Sequence, residues 1–342
     1  MNLKELSDLL GLSQTTVSRA LNGYPEVSEV TRDKVLRAAK AHNYSPNTRA
    51  RSLATGRNHA VGHVIPLSTE HEVVNPVFTD FIAGASEIYS RENYDMILSM
   101  VSPTDEADAY RKIAAKGSVD GVIIHGPAAD DQRIRLLTEI GMPFVVHGRS
   151  GAEDENDYSW VDVNNTRAFE RATRFLIDLG HTRIGLLNGL EHMDFAAKRR
   201  VGYRNALLAH GLSEDPILCR AEEMTEEYGY RASLDLLDLP EPPTAILTSS
   251  IIPGIGVRRA LEERGLKIGK DVSLIVHDDD LSYLRNGGAE PIYTATRSSV
   301  RHAGRLCGEM LMDKIANPNL PQRHELLEAE LIIGDTTGPC PR

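Results

Sequence analysis

Near the N-terminus, apolar residues recur three and four positions apart. Leu6, Leu9 and Leu10 make one stripe, Val17 and Leu21 a second, and Val35, Leu36 and Ala39 a third. This spacing predicts three short amphipathic helices, each with one face turned inward. Asn2 followed by Glu5 reads as a capping box, and Ser13 and Ser28 stand where N-caps of the second and third helices belong. Gly11 lies in the short turn between the first two helices, and Gly23 follows the second where a stop is expected. From residue 60 the pattern changes. Continuous apolar runs (60–66, 94–98, 121–125, 143–147) alternate with amphipathic stretches (76–91, 104–116, 130–140). A second series repeats the alternation. Its strands are expected at 183–187, near Ile217, at 244–247 and at 272–276, with helices at 166–179, 196–210, 226–237 and 254–264. Strand–helix alternation of this kind builds parallel sheets. Two series in one chain predict two similar lobes, with a cleft beyond the carboxyl ends of their strands.

The N-terminal helices carry candidate chemistry of their own. The second leaves Gln14, Thr15, Ser18, Arg19 and Asn22 on its polar face, with Ser13 and Thr16 at its start. Two short helices across a glycine-containing turn form a helix-turn-helix, and a three-helix unit of this size can set its second helix in a DNA major groove. The bland alternative is a helical bundle whose polar face is merely solvated. After the third helix comes Tyr44, then a short helical pattern between Pro46 and Gly56 that contains Asn47, Arg49, Ala50, Arg51 and Leu53. Leu53 is a large apolar residue with little nearby to bury against.

Charge separates these regions. The net charge of −11 over 342 residues argues against nucleic acid, but residues 1–58 carry +4 and the remainder −15. A basic head on an acidic body is a local footprint for phosphate. Cys219, Cys307 and Cys340 are far apart and lack metal or disulfide spacing. There is no apolar leader and no membrane-length run. The expected compartment is the cytoplasm.

Taken together, Thr16-Val17-Ser18-Arg19-Ala20-Leu21-Asn22-Gly23, then Val27-Ser28 with Thr31, Arg32, Lys34 and Val35, then Tyr44, Pro46 and Asn47 with Ala50-Arg51-Ser52-Leu53 resemble the lactose-repressor (LacI/GalR) family of bacterial transcription regulators. The resemblance implies an α plus α/β protein. Its parts are a helix-turn-helix head (1–46), a hinge helix and linker (47–59), and a two-lobed effector domain (60–342) like a periplasmic sugar-binding protein. Lobe one would hold about 60–161 and 293–322, lobe two about 162–292 and 323–338. A crossover strand is expected at 290–294, a helix at 298–316 and a last strand at 328–334. No leucine heptad follows that last strand, so the family's rare tetramerising tail is not expected. The implied partners are an operator duplex, a second copy of the chain and a small-molecule effector, with no membrane. Ser13, Gln14, Thr15, Thr16, Ser18, Arg19, Asn22, Tyr44, Asn47, Arg49, Ala50, Arg51 and Leu53 would touch DNA, Leu53 as a minor-groove wedge.

Effector contacts are sought at strand ends and at family positions. Phe78 matches a family aromatic that meets the ligand, or is a core ring. His147 and Arg149 sit just past a strand end, where an arginine forks to hydroxyls or a carboxylate, or forms a surface ion pair. Arg199 matches a family arginine three residues before a helical glycine, with Arg200 one position off. Asp278 matches a strand-end aspartate of the family, although Val276 and His277 replace the usual glycine and aromatic. Ser250 stands where many relatives carry a polar Asn-Asp pair, and Arg297 replaces a common glutamine. Arg149, Arg199 and Asp278 favour a sugar that relieves repression over a flat aromatic effector, with a corepressor as the alternative. No cofactor, metal site or catalytic group is expected. Gly254-Ile255-Gly256 lacks the third glycine and the acidic partner of a dinucleotide site, and no P-loop, zinc-protease or serine-hydrolase motif occurs. An enzyme is therefore disfavoured. A transporter's solute-binding protein would account for the body but not for the basic helices ahead of it.

Overall fold

The computed structural model describes residues 1–44, 56–66, 75–151 and 157–341. The chain divides into two compact units, Met1–His59 and Ala60–Arg342. The hinge helix expected over 47–55, with Asn47, Arg49, Ala50, Arg51 and Leu53, lies outside the described residues.

The head is built from α1 (Leu3–Leu10), α2 (Gln14–Leu21) and α3 (Glu29–Ala41). Asn2 and Glu5 form the reciprocal capping box, Ser13 accepts from the Thr16 N–H, and Ser28 accepts from the Thr31 N–H. Gly11 ends α1 at φ +66°, a left-handed conformation that lets one residue turn the chain into the next helix. Leu6, Val17, Ala20, Val27, Val35 and Ala39 close the core. Leu9 and Leu36, expected to face inward, are instead 55% and 45% exposed. In a unit this small each helix touches its neighbours along a narrow strip. Leu6 and Val35 fill that strip, and the outer residues of the wider stripe are left in water.

The body contains two six-stranded sheets. In lobe one the order is β11-β5-β4-β3-β1-β2, all parallel. Its members are β1 (Ala60–Pro66), β2 (Asp95–Val101), β3 (Gly121–His125), β4 (Phe144–His147), β5 (Trp160–Val163) and β11 (His324–Leu327). Lobe two has the order β12-β10-β9-β8-β6-β7, parallel except for the antiparallel pairing of β10 with β12. It comprises β6 (Ile184–Asn188), β7 (Cys219–Ala221), β8 (Ala245–Thr248), β9 (Ser273–Asp278), β10 (Thr294–Arg297) and β12 (Glu330–Ile332). Lobe one carries α4 (Pro76–Arg91), α5 (Glu106–Lys116), α6 (Gln132–Ile140) and α11 (Val300–Ala316). Lobe two carries α7 (Asn165–Asp178), α8 (Asp194–Ala209), α9 (Glu226–Leu237) and α10 (Ile251–Glu263). Their apolar faces bury the strands from both sides, as parallel sheets require. Val122, Ile123 and Ile124 are fully buried, as are Ile246 and Leu247.

The crossings between lobes differ from those expected. The strand foreseen at 290–294 forms at Thr294–Arg297 and pairs with β9, so the chain stays in lobe two about five residues longer than the expected crossing at 293. β11, which the expected boundary at 323 places in lobe two, pairs with β5 in lobe one, His324 opposite Trp160. β5 itself runs to Val163, past the expected crossing at 161. Helix α11 packs along α4, and the two approach closely through glycine. A Cβ at Gly84 would strike the Arg301 carbonyl, and one at Gly304 the Phe81 carbonyl. Among the described residues no helix is long and apolar enough to cross a membrane, and no cluster of His, Cys, Asp or Glu has metal-holding geometry.

Candidate functional site

In the head, α2 and α3 present their N-termini to one shallow concavity lined by Thr15, Thr16, Arg19, Glu26 and the capping residues Ser13 and Ser28. Each cap is double. The Ser13 and Thr16 hydroxyls lie 2.9 Å apart, as do those of Ser28 and Thr31. Gln14, Thr15, Arg19 and Asn22 are exposed, while Ser18 and Thr16 are half-buried. The Asn22 amide donates to the Ser18 carbonyl at 2.8 Å, which ties the end of α2 to its own last turn. Arg32 donates to the Tyr24 and Val27 carbonyls and holds the turn beyond α2 against α3. Tyr44 packs on the head core, and burial raises its phenol pKa. The surface presented is short, polar and donor-rich on a rigid element, which suits base edges and phosphates. Glu26, absent from the sequence-based expectation, is the acidic member of this concavity.

The second candidate site is the region where the two lobes meet. In lobe one, Phe78 on the first turn of α4 meets His125 edge-on at 5.1 Å between ring centres, and His147 stacks on Phe81 at 4.3 Å. His125 and His147 end the adjacent strands β3 and β4 in register. Arg149 donates to Asp162 at 2.8 Å and lies over the Trp160 ring. Arg149 thus holds an ion pair at the cleft edge. Lys198 of lobe two stands 3.6 Å from the same Asp162 and 2.5 Å from Asp194.

In lobe two, Arg199 is buried. It donates through Nε to Asn165 at 2.8 Å and through Nη1 to the Ser249 carbonyl, and its guanidinium lies against the rings of Phe169 and Phe195. Burial lowers its pKa to about 10, while the charges of Asp279 and Asp162 act the other way. The neighbouring Arg200 instead pairs with Glu191 and Glu214 at 2.6 Å each. Ser250 is fully buried as the N-cap of α10, where its hydroxyl accepts from the Ile252 N–H. Asp278 is also fully buried. It accepts from Arg297 Nε at 3.1 Å and from the Asp280 N–H at 2.9 Å, and burial raises its pKa. Arg297 stands 3.6 Å from Asp280 as well.

Of the seven residues expected at the cleft, Phe78 and His147 both stand against the His125 ring, and the charge of Asp279 reaches both His147 and Arg199. Arg149 is engaged by Asp162, and Asp278 and Arg297 engage each other. Asp279 is a further member. Burial raises its pKa, but His277, Arg199 and His147 more than offset this and the net shift is downward. His125 stands against Phe78, Asn165 accepts from Arg199, and Asp162 accepts from Arg149. His125 was open to the same strand-end argument as His147. The choice between Asp278 and Asp279 was not, because neighbouring residues at a strand end point opposite ways.

The lobes also touch on two sides. The Asp194 N–H donates to the Pro127 carbonyl at 3.0 Å beside a bridge between Ala128 and Met193. Asp80 on α4 accepts from both the N–H and the hydroxyl of Ser282, in the loop after β9, at 2.7 Å each.

Burial lowers His63 to about 3, His147 to about 4 and His125 well below its ordinary value. The folded body therefore refuses protons that the unfolded chain accepts below about pH 6.5. Stability should be full above that pH and fall as the pH drops toward 4, each excluded proton costing up to about 1.4 kcal/mol per pH unit. Calorimetric melts of the body should show a falling melting temperature between pH 7 and pH 5. A flat profile there would mean that these imidazoles are open to protonation.

A model of bacterial regulatory proteins of the lacI family matches residues 2–47, and a periplasmic binding protein-like domain matches 173–337. The chain is 45% identical over 341 residues to the HTH-type transcriptional regulator AglR of Rhizobium meliloti (strain 1021), covering 100% of this chain and 95% of that protein. The solved transcriptional regulator CelR–cellobiose complex is similar with a TM-score of 0.72 and 28% identity, over 98% of this chain and 99% of that one. The lac repressor dimer bound to operator and the anti-inducer ONPF shares the fold with a TM-score of 0.82 at 22% identity, over 99% of both chains. With its helix-turn-helix head and two-lobed periplasmic-binding-protein-like body, the chain belongs to the lacI family of bacterial regulatory proteins and is a DNA-binding transcriptional regulator, not an enzyme.

Proposed function

We propose that the protein is a homodimeric repressor that leaves a roughly palindromic operator when a sugar or sugar derivative enters the cleft. The observation that carries this reading is the convergence of Arg199, Asp279 and His147, from both lobes, where the charge of Asp279 acts on the other two. A fixed donor, a carboxylate acceptor and neutral imidazole beside aromatic rings suit a polyhydroxyl ligand, whose groups both donate and accept. The CelR–cellobiose complex supports a sugar. Two heads on a two-fold dimer read two half-sites, and the second copy would sit on the open edge of lobe one at β2. In the hinge, Leu53 would wedge the central minor-groove step open. Release follows if the sugar prefers one angle between the lobes, since only differential affinity shifts such an equilibrium. The contacts Asp80–Ser282, Lys198–Asp162 and Asp194–Pro127 are those that a change of lobe angle would stretch. Anisotropy of a labelled operator, read with and without each member of a sugar panel, tests the reading. A sugar that binds and tightens operator binding would make it a corepressor, and no response to any sugar would overturn the effector class.

The head gives its own prediction. Gln14 is exposed at the start of α2 and can pair bidentately with adenine. Gln14→Ala should lose about 1–3 kcal/mol of discrimination at one operator position and leave non-specific binding unchanged. An unaltered ranking of bases across substituted operators would remove Gln14 from readout.

A further inference from the structure

Beneath the cleft floor of lobe one, three side chains form a single hydrogen-bonded line. Tyr89 Oη on α4 lies 3.1 Å from His63 Nε2 on β1, and His63 Nδ1 lies 2.9 Å from His125 Nε2 at the end of β3. Tyr89 and His63 are buried, whereas His125 is half-buried. Among the described residues no other hydrogen bond reaches any of these three side chains, so the second ring nitrogen of His125 has no partner among them. His125 also stands edge-on to Phe78 and Phe81, which fixes the plane of its ring.

Two arrangements of the protons fit these distances. In one, His63 donates from Nε2 to the Tyr89 oxygen and accepts at Nδ1 from His125. The Tyr89 hydroxyl proton then lies buried with no acceptor, a state that folded proteins avoid. In the other, Tyr89 donates to His63 Nε2, His63 donates from Nδ1 to His125 Nε2, and neutral His125 carries its own proton on Nδ1. Every donor inside the line is then satisfied, the one N–H left over sits on the half-buried His125 ring, and the line runs one way, from α4 to the end of β3. Burial keeps both imidazoles neutral near pH 7, so neither escapes the choice by taking a second proton.

We infer that Tyr89 and His63 are positioning residues that lock His125 in its Nδ1–H tautomer, so that it offers the cleft a hydrogen-bond donor and not an acceptor. The inference rests on the reading of the cleft as the effector site, and it deepens that reading. An effector atom at this position must accept, as a hydroxyl, ring or glycosidic oxygen does, and a group that can only donate is refused. Selection by a donor of fixed sense is strong, because a mismatched ligand leaves buried polar groups unpaired on both sides.

The test is a long-range nitrogen–proton NMR correlation of the histidine rings in the full chain, assigned with a His125→Gln variant. The expected spectrum has a protonated Nδ1 and an unprotonated Nε2 on His125, and the reverse pattern on this ring overturns the lock. Tyr89→Phe removes the leading donor, and the His125 signals should then move toward a mixture of both tautomers while operator binding is retained. Unchanged His125 signals in a folded Tyr89→Phe protein would also overturn it. Should that variant fail to fold, the wild-type spectrum alone decides. No effector is needed for either spectrum. A failure of cellobiose, the first sugar to be titrated, to bind would count against the sugar reading and leave the tautomer result standing.

Discussion

A protein carrying aspartate at both Ile97 and Leu98 should run as a monomer and bind a palindromic operator about 10²–10⁴-fold more weakly, the loss expected when two linked contacts become one. These residues lie on β2, the edge strand of the lobe-one sheet, bonded to β1 on one side only. Met96, Ile97 and Leu98 are each 38% exposed and Met100 is 48% exposed. Neighbours on a strand point to opposite faces, so among the described residues this apolar edge is left partly open on both. Edge strands of that kind are blunted by charge or covered by a partner. Here the run Met96-Ile97-Leu98-Ser99-Met100 has no charge to blunt it, and a second copy of the chain is the cover proposed. Two aspartates desolvated against an apolar partner would oppose association, while a monomer would leave them in water. The head is a separate compact unit, so binding to a single half-site should persist. Sedimentation and operator titration on one preparation check both parts. A double variant that remains dimeric and binds normally would place the interface elsewhere.

How far the sequence could be read depended on whether local or distant residues decide an element. The caps at Asn2, Ser13 and Ser28 are local, and each forms as the spacing predicts. The long apolar strands are nearly local as well, since a run such as Gly121-Val122-Ile123-Ile124 has few uses except burial. β5 and β11 are the opposite case. Trp160-Val161-Asp162-Val163 and His324-Glu325-Leu326-Leu327 are four residues each and of mixed polarity, and they become strands because they pair across more than 160 positions of chain. No local pattern carries that pairing, and the lobe boundaries drawn without it were displaced. The cleft divides in the same way. Helical periodicity placed Arg199 and Arg200 a hundred degrees apart but could not say which faced inward. The structure turns Arg199 toward Asn165 and Ser249 and Arg200 toward Glu191 and Glu214. The line Tyr89–His63–His125 joins residues on a helix and two strands and has no signature in any one of them.

Arg199 carries the largest expected effect within the body. Arg199→Ala should shift the effector response to far higher concentration while operator binding survives. The guanidinium is enclosed by Phe169 and Phe195 and donates to Asn165 and Ser249. Its removal leaves those acceptors without a donor, at about 1–3 kcal/mol each. Asp279 also loses the cation that helps to keep it ionised, so its pKa should rise. Against this, the variant no longer has to desolvate a buried charge, which recovers part of the loss. The body should therefore melt at a lower temperature yet stay folded, and the head, a separate unit, should be unaffected. Affinity for whichever sugar raises the wild-type melting temperature should fall at least about tenfold, an amount that one lost charged hydrogen bond supplies. In an inducible repressor the variant then occupies its operator at sugar concentrations that release the wild type. In a corepressor-dependent regulator it would leave the operator poorly occupied at the concentrations that suffice for the wild type. A purely structural Arg199 predicts a lower melting temperature with unchanged sugar affinity. Arg199→Lys sharpens the test, because it keeps the charge and loses the forked geometry. A lysine variant with restored stability but no sugar response would assign the fork itself to the ligand, and a lysine variant with normal response would reduce the role of Arg199 to its charge.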